Sequence, residues 1–492
     1  MQTLSKQDIQ EVVELIRQLY LEDMIPWICG YSGGKDSTAI VQLVWEALLQ
    51  VPEYKRQKTV HIISTDTLVE SPVVALWANN SLKKMTENAQ KDNLPIIAHR
   101  LTPKITNTYW VNLIGRGYPY PRQNFRWCTD RMKIEPSNTF IKKVLDAESE
   151  AILVLGSRKA ESATRRAVME GYEKKRYRNH LSPNGSFPNS YIFTPIENWT
   201  NDNVWQYLMQ YMNPWGNSNK NLMAMYSGAS ADGECPLVLD TDTPSCGNSR
   251  FGCWTCTLVT EDKSMAAMIQ NDEEKTWMLP LLNFRNDIAA LYDNDLDRKR
   301  RDFRRMNGKL TWHNGRLVHG PYKKDIREEF LRKLLRVEKV VHEIGPNDIK
   351  GIPLITMDEL RFIRRLWLDE KHEFDDRLPS IYEEETGKPF EDNAINGNKY
   401  YRALEWELLK DVCEDLFPDE ELLLEMQSSI LDIESKSSAM SQRRNVRKSI
   451  EDIMKKCYFS CELDAEKMAL ERRRRQGIVD EFLDEDTSEL LG

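Results

Sequence analysis

Four short apolar, β-branched runs recur early in the chain: VHIIST (60–65), LPIIAHR (94–100), AILVLGS (151–157) and YIFTPI (191–196). Stretches with helical spacing separate them, such as SPVVALWANNSLKKMTENAQ at 71–90. Strands that alternate with helices over such a span predict an α/β fold: a doubly wound, mostly parallel sheet with helices on both faces. Ligands in such sheets sit at the carboxyl ends of the strands. One strand–loop–helix stretch carries unusual chemistry there: MIPWIC (24–29), GYSGGKDST (30–38) and AIVQLVWEALL (39–49).

The core of that loop, SGGKDS (32–37), is not a Walker A loop, which needs four residues between its first glycine and Gly-Lys-Ser/Thr. The physics is related nonetheless. Gly33 and Gly34 allow a tight turn and bring backbone N–H groups close to an anion. A helix starting near Asp36–Ser37 aims its N-terminal dipole at the same place. Ser32 and Ser37 offer hydroxyls and Lys35 a full positive charge. Ala39, Ile40, Leu43, Val44, Ala47 and Leu48 form the stripe that packs this helix on the sheet. The loop reads as a phosphate cradle; a glycine turn capped by Ser and Asp is the plainer alternative.

Composition bears on the rest. With 492 residues, 40% hydrophobic and 29% charged, the chain has room for two or three domains. No apolar run approaches the roughly 20 residues that span a bilayer, and the amphipathic start lacks the apolar core of a signal peptide. A cytoplasmic protein is expected, whose nine cysteines are thiols, metal ligands or catalytic groups. The net charge of −9 conceals an asymmetry: residues 101–200 hold 16 Lys and Arg against 9 Asp and Glu, and residues 401–492 hold 14 against 23. Lys174, Lys175, Arg176 and Arg178 with Tyr177, and Arg122 and Arg126 near Tyr118, Tyr120 and Phe125, suit a nucleic-acid backbone, with solvated surface as the competing reading. The segments expected are 1–213 for the nucleotide domain, 214–260 as a Cys-rich segment, and 261–492 as a helical region that docks partners or DNA.

Cys246, Cys253 and Cys256 read C-x6-C-x2-C in a Gly-rich stretch, with Cys235 and Cys128 upstream. Thiolates in a short turn converge on one ion or cluster, and by spacing alone zinc and iron–sulfur serve equally. Cys29 and Cys413 lie in apolar patterns and read as core. Cys457 and Cys461 stand at i,i+4, a spacing at which they meet if a helix spans both.

SGGKDS, STDT (64–67), CTDRMKIEP (128–136), GSRKAESATR (156–165) and TPIENWTNDNVWQYL (194–208), in that order, resemble the N-type ATP pyrophosphatases, in the branch that includes phosphoadenosine phosphosulfate reductases. With FGCWTC (251–256) and the helical extension, the chain resembles the DndC family, the sulfurtransferases of bacterial DNA phosphorothioation. The resemblance implies ATP, Mg²⁺ and a [4Fe–4S] cluster as cofactors. Its partners would be DNA, a cysteine desulfurase as sulfur donor and other phosphorothioation subunits. Ser32, Gly33, Gly34, Lys35, Asp36 and Ser37 would hold the pyrophosphate, and Asp66 would bind ribose or Mg²⁺ or cap the next helix. Lys35, Asp36, Arg158 and Arg165 would act on the phosphates. The cluster would rest on Cys128, Cys246, Cys253 and Cys256. In the reductases a tandem Cys-Cys stands where this chain has Trp127-Cys128, and Cys235 competes as fourth ligand or as a persulfide carrier. The rival readings are a sulfonucleotide reductase, whose Glu-Cys-Gly-Leu-His motif is not found in the closing DEDTSELLG, a tRNA thiolase, and a non-catalytic DNA scaffold with a zinc knuckle.

Overall fold

The strands form where the apolar runs put them. In the computed structural model they are β1 (Trp27–Gly30), β2 (Val60–Thr65), β3 (Ile96–Leu101), β4 (Ala151–Val154), β5 (Leu181–Pro183) and β6 (Ser190–Phe193). The structure describes residues 4–123, 125–178, 180–229, 251–289, 295–313, 315–392, 403–416, 421–437 and 445–475. Among these, one sheet runs in the order β3-β2-β1-β4-β6-β5, parallel except for β5 against β6. From β1 the chain winds outward through β2 to β3, then returns to β4 on the other side of β1. The order therefore reverses between β1 and β4, and the crevice beyond their carboxyl ends is where such sheets bind ligands.

Helices cover the sheet. Helix α1 (Lys6–Glu22) opens with a capping box between Ser5 and Asp8 and buries Ile9, Val13, Ile16, Leu19 and Tyr20. Helix α2 (Lys35–Leu49) carries the expected stripe, and Val41, Gln42 and Trp45 are buried as well. It is enclosed because α1 and α6 (Asn201–Gln210) also pack against it. Helix α3 (Pro72–Lys91) starts with proline at its first turn, where no N–H is missed. Helix α4 (Glu135–Glu148) lays Ile141 and Val144 on Ile28, Ile63, Ala151 and Leu153. Cys29 is fully buried in β1, as its pattern predicts.

On neighbouring strands, His61 Nδ1 and His99 Nε2 stand 3.0 Å apart, with Phe140 against both rings. Burial, and then the charge of His99, lowers the pKa of His61 to about 4. Burial and Lys143 lower that of His99 too. The unfolded chain thus binds protons between pH 6.5 and 4 that the folded His61 refuses, so this contribution to stability is whole above pH 6.5 and is lost as pH falls towards 4. In urea titrations between pH 5 and 6.5, His61→Asn should reduce the slope of unfolding free energy against pH by up to about 1.4 kcal/mol per pH unit.

The chain forms two compact units. One comprises Met1–Tyr109, Pro121–Asn286 and Ile344–Lys350; the other comprises Trp110–Tyr120, Asp287–Glu343 and Gly351–Gly492. The first therefore runs past the positions 213 and 260 at which composition shifts, and it includes the stretch with Cys253 and Cys256. In the second, α11 (Lys324–Ile344) and α12 (Met357–Asp369) bury apolar faces, and a π-helical turn, Val111–Gly115, packs on α12. There the Trp367 indole donates to the Ile114 carbonyl at 3.1 Å. In the arginine-rich stretch at 297–309, Arg301 pairs with Asp297, Arg300 with Glu329, and Arg304 with Asp302 and Glu425. Cys413 is buried as expected. Cys457 and Cys461 share no helix, since α16 (Val446–Lys456) ends before the first and α17 (Glu462–Arg475) begins after the second. Among the described residues no helix is long and apolar enough to cross a membrane.

Candidate active site

The loop after β1 and the loop after β4 flank the point where strand order reverses, and they wall a cavity of about 1090 Å³ in the first unit. Gly33 has φ +76°, a conformation only glycine adopts without strain. A Cβ there would stand 3.3 Å from Trp77 Cδ1. The Trp77 indole also donates to the Gly33 carbonyl at 3.1 Å. Gly34, which has no side chain, caps α2 without the usual N-cap bond to the first-turn amides. Such amides and the helix dipole favour an anion. Tyr226 closes this corner: its hydroxyl accepts from the Lys35 backbone N–H at 3.3 Å, and Lys35 Nζ lies 5.6 Å from its ring centre. Ser37 Oγ donates to the Gly34 carbonyl at 3.0 Å and accepts from the Ser32 N–H at 3.2 Å, which sets the pitch of the loop.

Asp36 ties the two loops together. It accepts from Lys35 Nζ at 2.9 Å and from Arg158 Nε at 2.7 Å. Arg158 is only 3% exposed. Its guanidinium also donates to the Trp199 carbonyl, and its backbone N–H donates to Glu161. Glu161 in turn pairs with Arg165, whose backbone N–H donates to Ser162 Oγ at the start of α5 (Ala163–Glu173). Asp66 lines the cavity but caps no helix: it pairs with Arg100 and accepts from the Leu68 N–H. Each carboxylate of the cavity thus holds a cation or an amide in place.

Gly156 permits the close approach of the two loops, for a Cβ there would lie 3.0 Å from the carbonyl carbon and oxygen of Asp36. Gly156→Ala must push these backbones apart by a few tenths of an ångström, and the cation array moves with them. Calorimetric titration with pyrophosphate should show affinity reduced about tenfold, in line with the sensitivity of positioned groups to small displacements.

The cysteine stretch is fastened beside this cavity. Residues 252–254 pair with 69–71: the Ser71 N–H donates to the Gly252 carbonyl and the Trp254 N–H to that of Val69. Cys253 Sγ lies 3.3 Å from Thr67 Oγ1 and 4.0 Å from Glu70. Glu70 and its partner Lys133, at 3.4 Å, both line the cavity. Burial, then the Glu70 charge, pushes the Cys253 thiol up to about 12. Burial raises Cys128 as well, and Cys256 adds to it. Cys128, Cys256 and Cys253 all act on the buried phenol of Tyr109, whose hydroxyl donates to the Thr255 carbonyl. Trp127, beside Cys128, stacks on that phenol at 5.5 Å. Arg285, 1% exposed, donates to the carbonyls of Cys256, Val259 and Thr260 and fixes the turn from below. Among the described residues no group of His, Cys, Asp and Glu is gathered closely enough to hold a metal ion. Cys235 and Cys246 lie outside the described residues.

Residues 26–258 match the phosphoadenosine phosphosulfate reductase domain. This domain is phosphoadenosine phosphosulfate reductase-like. Two uncharacterized proteins of Methanocaldococcus jannaschii are similar to the chain, at 24% identity over 209 residues and 25% over 184. These alignments cover 42% and 37% of this chain and 36% and 35% of theirs, so the chain spans about a third of the length of the curated relatives it matches. Two solved structures align at 13% identity and a TM-score of 0.27. They are the phosphoadenylyl-sulfate reductase from Candida auris in its phosphate complex and the U34-tRNA thiolase NcsA from Methanococcus maripaludis with its [4Fe-4S] cluster. They cover 42% and 59% of this chain and 88% and 81% of their own.

Several parts of the reductase-like domain's site escape a reading by motif. Tyr226 and Trp77 sit on helices whose local pattern says only core, and Tyr109 and Arg285 are far in sequence from the cysteines they hold. Lys133 lies within CTDRMKIEP, yet nothing local marks it as facing a cavity. Of the basic cluster after α5, Arg176 pairs with Glu197 and Arg178 with Asp23, so neither charge is spare.

Proposed function

We propose that this protein is an ATP-dependent sulfurtransferase that replaces a non-bridging oxygen of a DNA backbone phosphate with sulfur. The observation that carries this reading is the shared wall: Lys35, Asp36 and Arg158 form one side of a cavity whose other side, Glu70 and Lys133, backs directly on Cys253. A phosphate oxygen of DNA attacks the α-phosphorus of ATP, and pyrophosphate leaves into the cradle of Gly33, Gly34, Lys35 and Ser37. A sulfur nucleophile then attacks the adenylated DNA phosphorus and AMP departs with the oxygen. The cradle acts by meeting charge that grows on the leaving pyrophosphate with N–H groups and cations already in position. Arg158 and Arg165 bind phosphate through a fork that stays charged; Asp66 would meet the ribose or hold Mg²⁺, which when bound would offset charge on the phosphates.

Cys128, Cys253 and Cys256, with Cys246 as the fourth ligand, would hold a [4Fe–4S] cluster; thiolates are the soft donors such a group takes, and the three described cysteines would have to draw together around it. Bound there, the cluster supplies a sulfur-binding site or holds the cysteine turn in shape. A cysteine desulfurase supplies the sulfur, and the helical second unit docks the other subunits in the cytoplasm. The reductase-like match favours one competing reading, reduction of a sulfonucleotide to sulfite. One experiment separates them. Anaerobically purified protein is incubated with ATP, DNA, the desulfurase and cysteine, with pyrophosphate assayed and digested DNA analysed for phosphorothioate dinucleotides by mass spectrometry. Pyrophosphate with phosphorothioate dinucleotides supports the proposal; orthophosphate release without them sinks it, as does sulfite formed from phosphoadenosine phosphosulfate.

A further inference from the structure

Helix α5 starts at the mouth of the cavity, where Arg165 lines the wall, and then leaves it with no side chain buried along its eleven residues. A helix of this length is marginal in water unless something packs on it. Val168 is 53% exposed, Tyr172 37%, and Tyr177, just beyond the helix, 50%. Arg166, Lys174 and Lys175 are exposed and make no ion pair among the described residues, in contrast to Arg165, Arg176 and Arg178, which are spoken for. The segment that results carries three uncommitted cations and the exposed Tyr172 ring, while Tyr177 is already stacked on Tyr191, and it runs outward from the phosphate-handling loops.

We infer that α5 and the turn after it are the surface that grips the DNA strand whose phosphate enters the cavity. The inference rests on the reading of that cavity as one that activates a DNA phosphate, and it assigns the docking to residues that no phosphate-loop motif contains. The chemistry matches a polyanion: spare cations neutralise successive phosphates, and an exposed ring such as Tyr172 stacks on a base whatever its sequence. A helix that buries no side chain in the free protein gains contacts when the strand lies along it. The small molecule ATP, held in the loops, has no use for a charged surface that extends away from the cavity.

The test uses the full chain and a fluorescein-labelled DNA oligonucleotide, with anisotropy read across a salt series. Arg166→Glu/Lys174→Glu/Lys175→Glu should weaken binding at least tenfold and flatten the slope of log affinity against log salt by about 2 to 3, one near-unit step per phosphate contact. Arg166→Gln/Lys174→Gln/Lys175→Gln, which adds no repulsion, should flatten the slope alike. ATP titration of both variants should match the parent, since none of the three lines the cavity. Unchanged DNA affinity in both variants overturns the inference, as does a parent protein that does not bind DNA at low salt. A tRNA transcript held more tightly through the same residues overturns the choice of DNA. The two readings fail separately: DNA binding lost in the variants without any phosphorothioate made by the parent leaves the surface standing and removes the activity, and phosphorothioation with normal binding in the variants does the reverse.

Discussion

Lys35→Met should release pyrophosphate about 10³-fold more slowly than the parent, a loss of roughly 4 kcal/mol of transition-state stabilisation. Lys35 is the cation of the cradle at the first turn of α2, and among the described residues its ion-pair partner is its neighbour Asp36. That partner is shared with Arg158, so the Lys35 ammonium can turn to an arriving anion while Asp36 stays held. Methionine keeps the length and the apolar stem and removes only the charge. The fold should be intact, with a melting temperature within a degree or two of the parent, because a partly exposed pair contributes little to stability. Single-turnover release of pyrophosphate from labelled ATP checks the first expectation, and a thermal melt the second. A melt far below the parent's would mean that Lys35 holds the loop rather than the phosphate.

Arg158→Gln should show a different pairing of effects, with activity and stability falling together. Its guanidinium is buried and bridges Asp36 to the Trp199 carbonyl. Breaking a buried pair from one side costs about 3–5 kcal/mol. Asp36 is 25% exposed, so water offsets part of this and about 2 kcal/mol remains. For a domain of this size the melting temperature should drop by about 4–8 °C. Pyrophosphate release should fall about 10²-fold or more, because the orphaned Asp36 then draws Lys35 away from the phosphate. Arg158→Lys keeps a charge without the fork; it should regain part of the melting temperature and little of the rate. Equal recovery of both would assign Arg158 a structural role alone.

The centre of the sheet was legible in the sequence because β1, β2 and β4 are buried along most of their length and therefore read as apolar runs: VHIIST became β2 over Val60–Thr65 without a shift. Strand order was not, since no local pattern says that β4 returns to the far side of β1. The cradle was legible because Gly33, Gly34 and Lys35 act through properties of their own residue types. Its supports were not. Trp77 and Tyr226 meet the loop from α3 and α7 (Asn219–Gly228), and their roles exist only once those helices are packed. In the basic cluster residue type reveals a charge and not its partner: Glu197 and Asp23, from distant elements, neutralise Arg176 and Arg178. Cys253 was found by its spacing, and its tie to Thr67 and Glu70 by the fold alone.

The Trp77 indole beneath Gly33 has a consequence for anyone who would borrow this motif. The hexapeptide SGGKDS is not portable. Its left-handed turn is floored by a ring from α3, its amide corner is closed by a phenol from α7, and its acid is spanned by an arginine from the loop after β4. Transplanted into another strand–helix junction, the six residues would bring their glycines and leave their walls behind. In searches for unrecognised relatives, an indole placed under the second residue of the motif is a sharper signature than the motif itself.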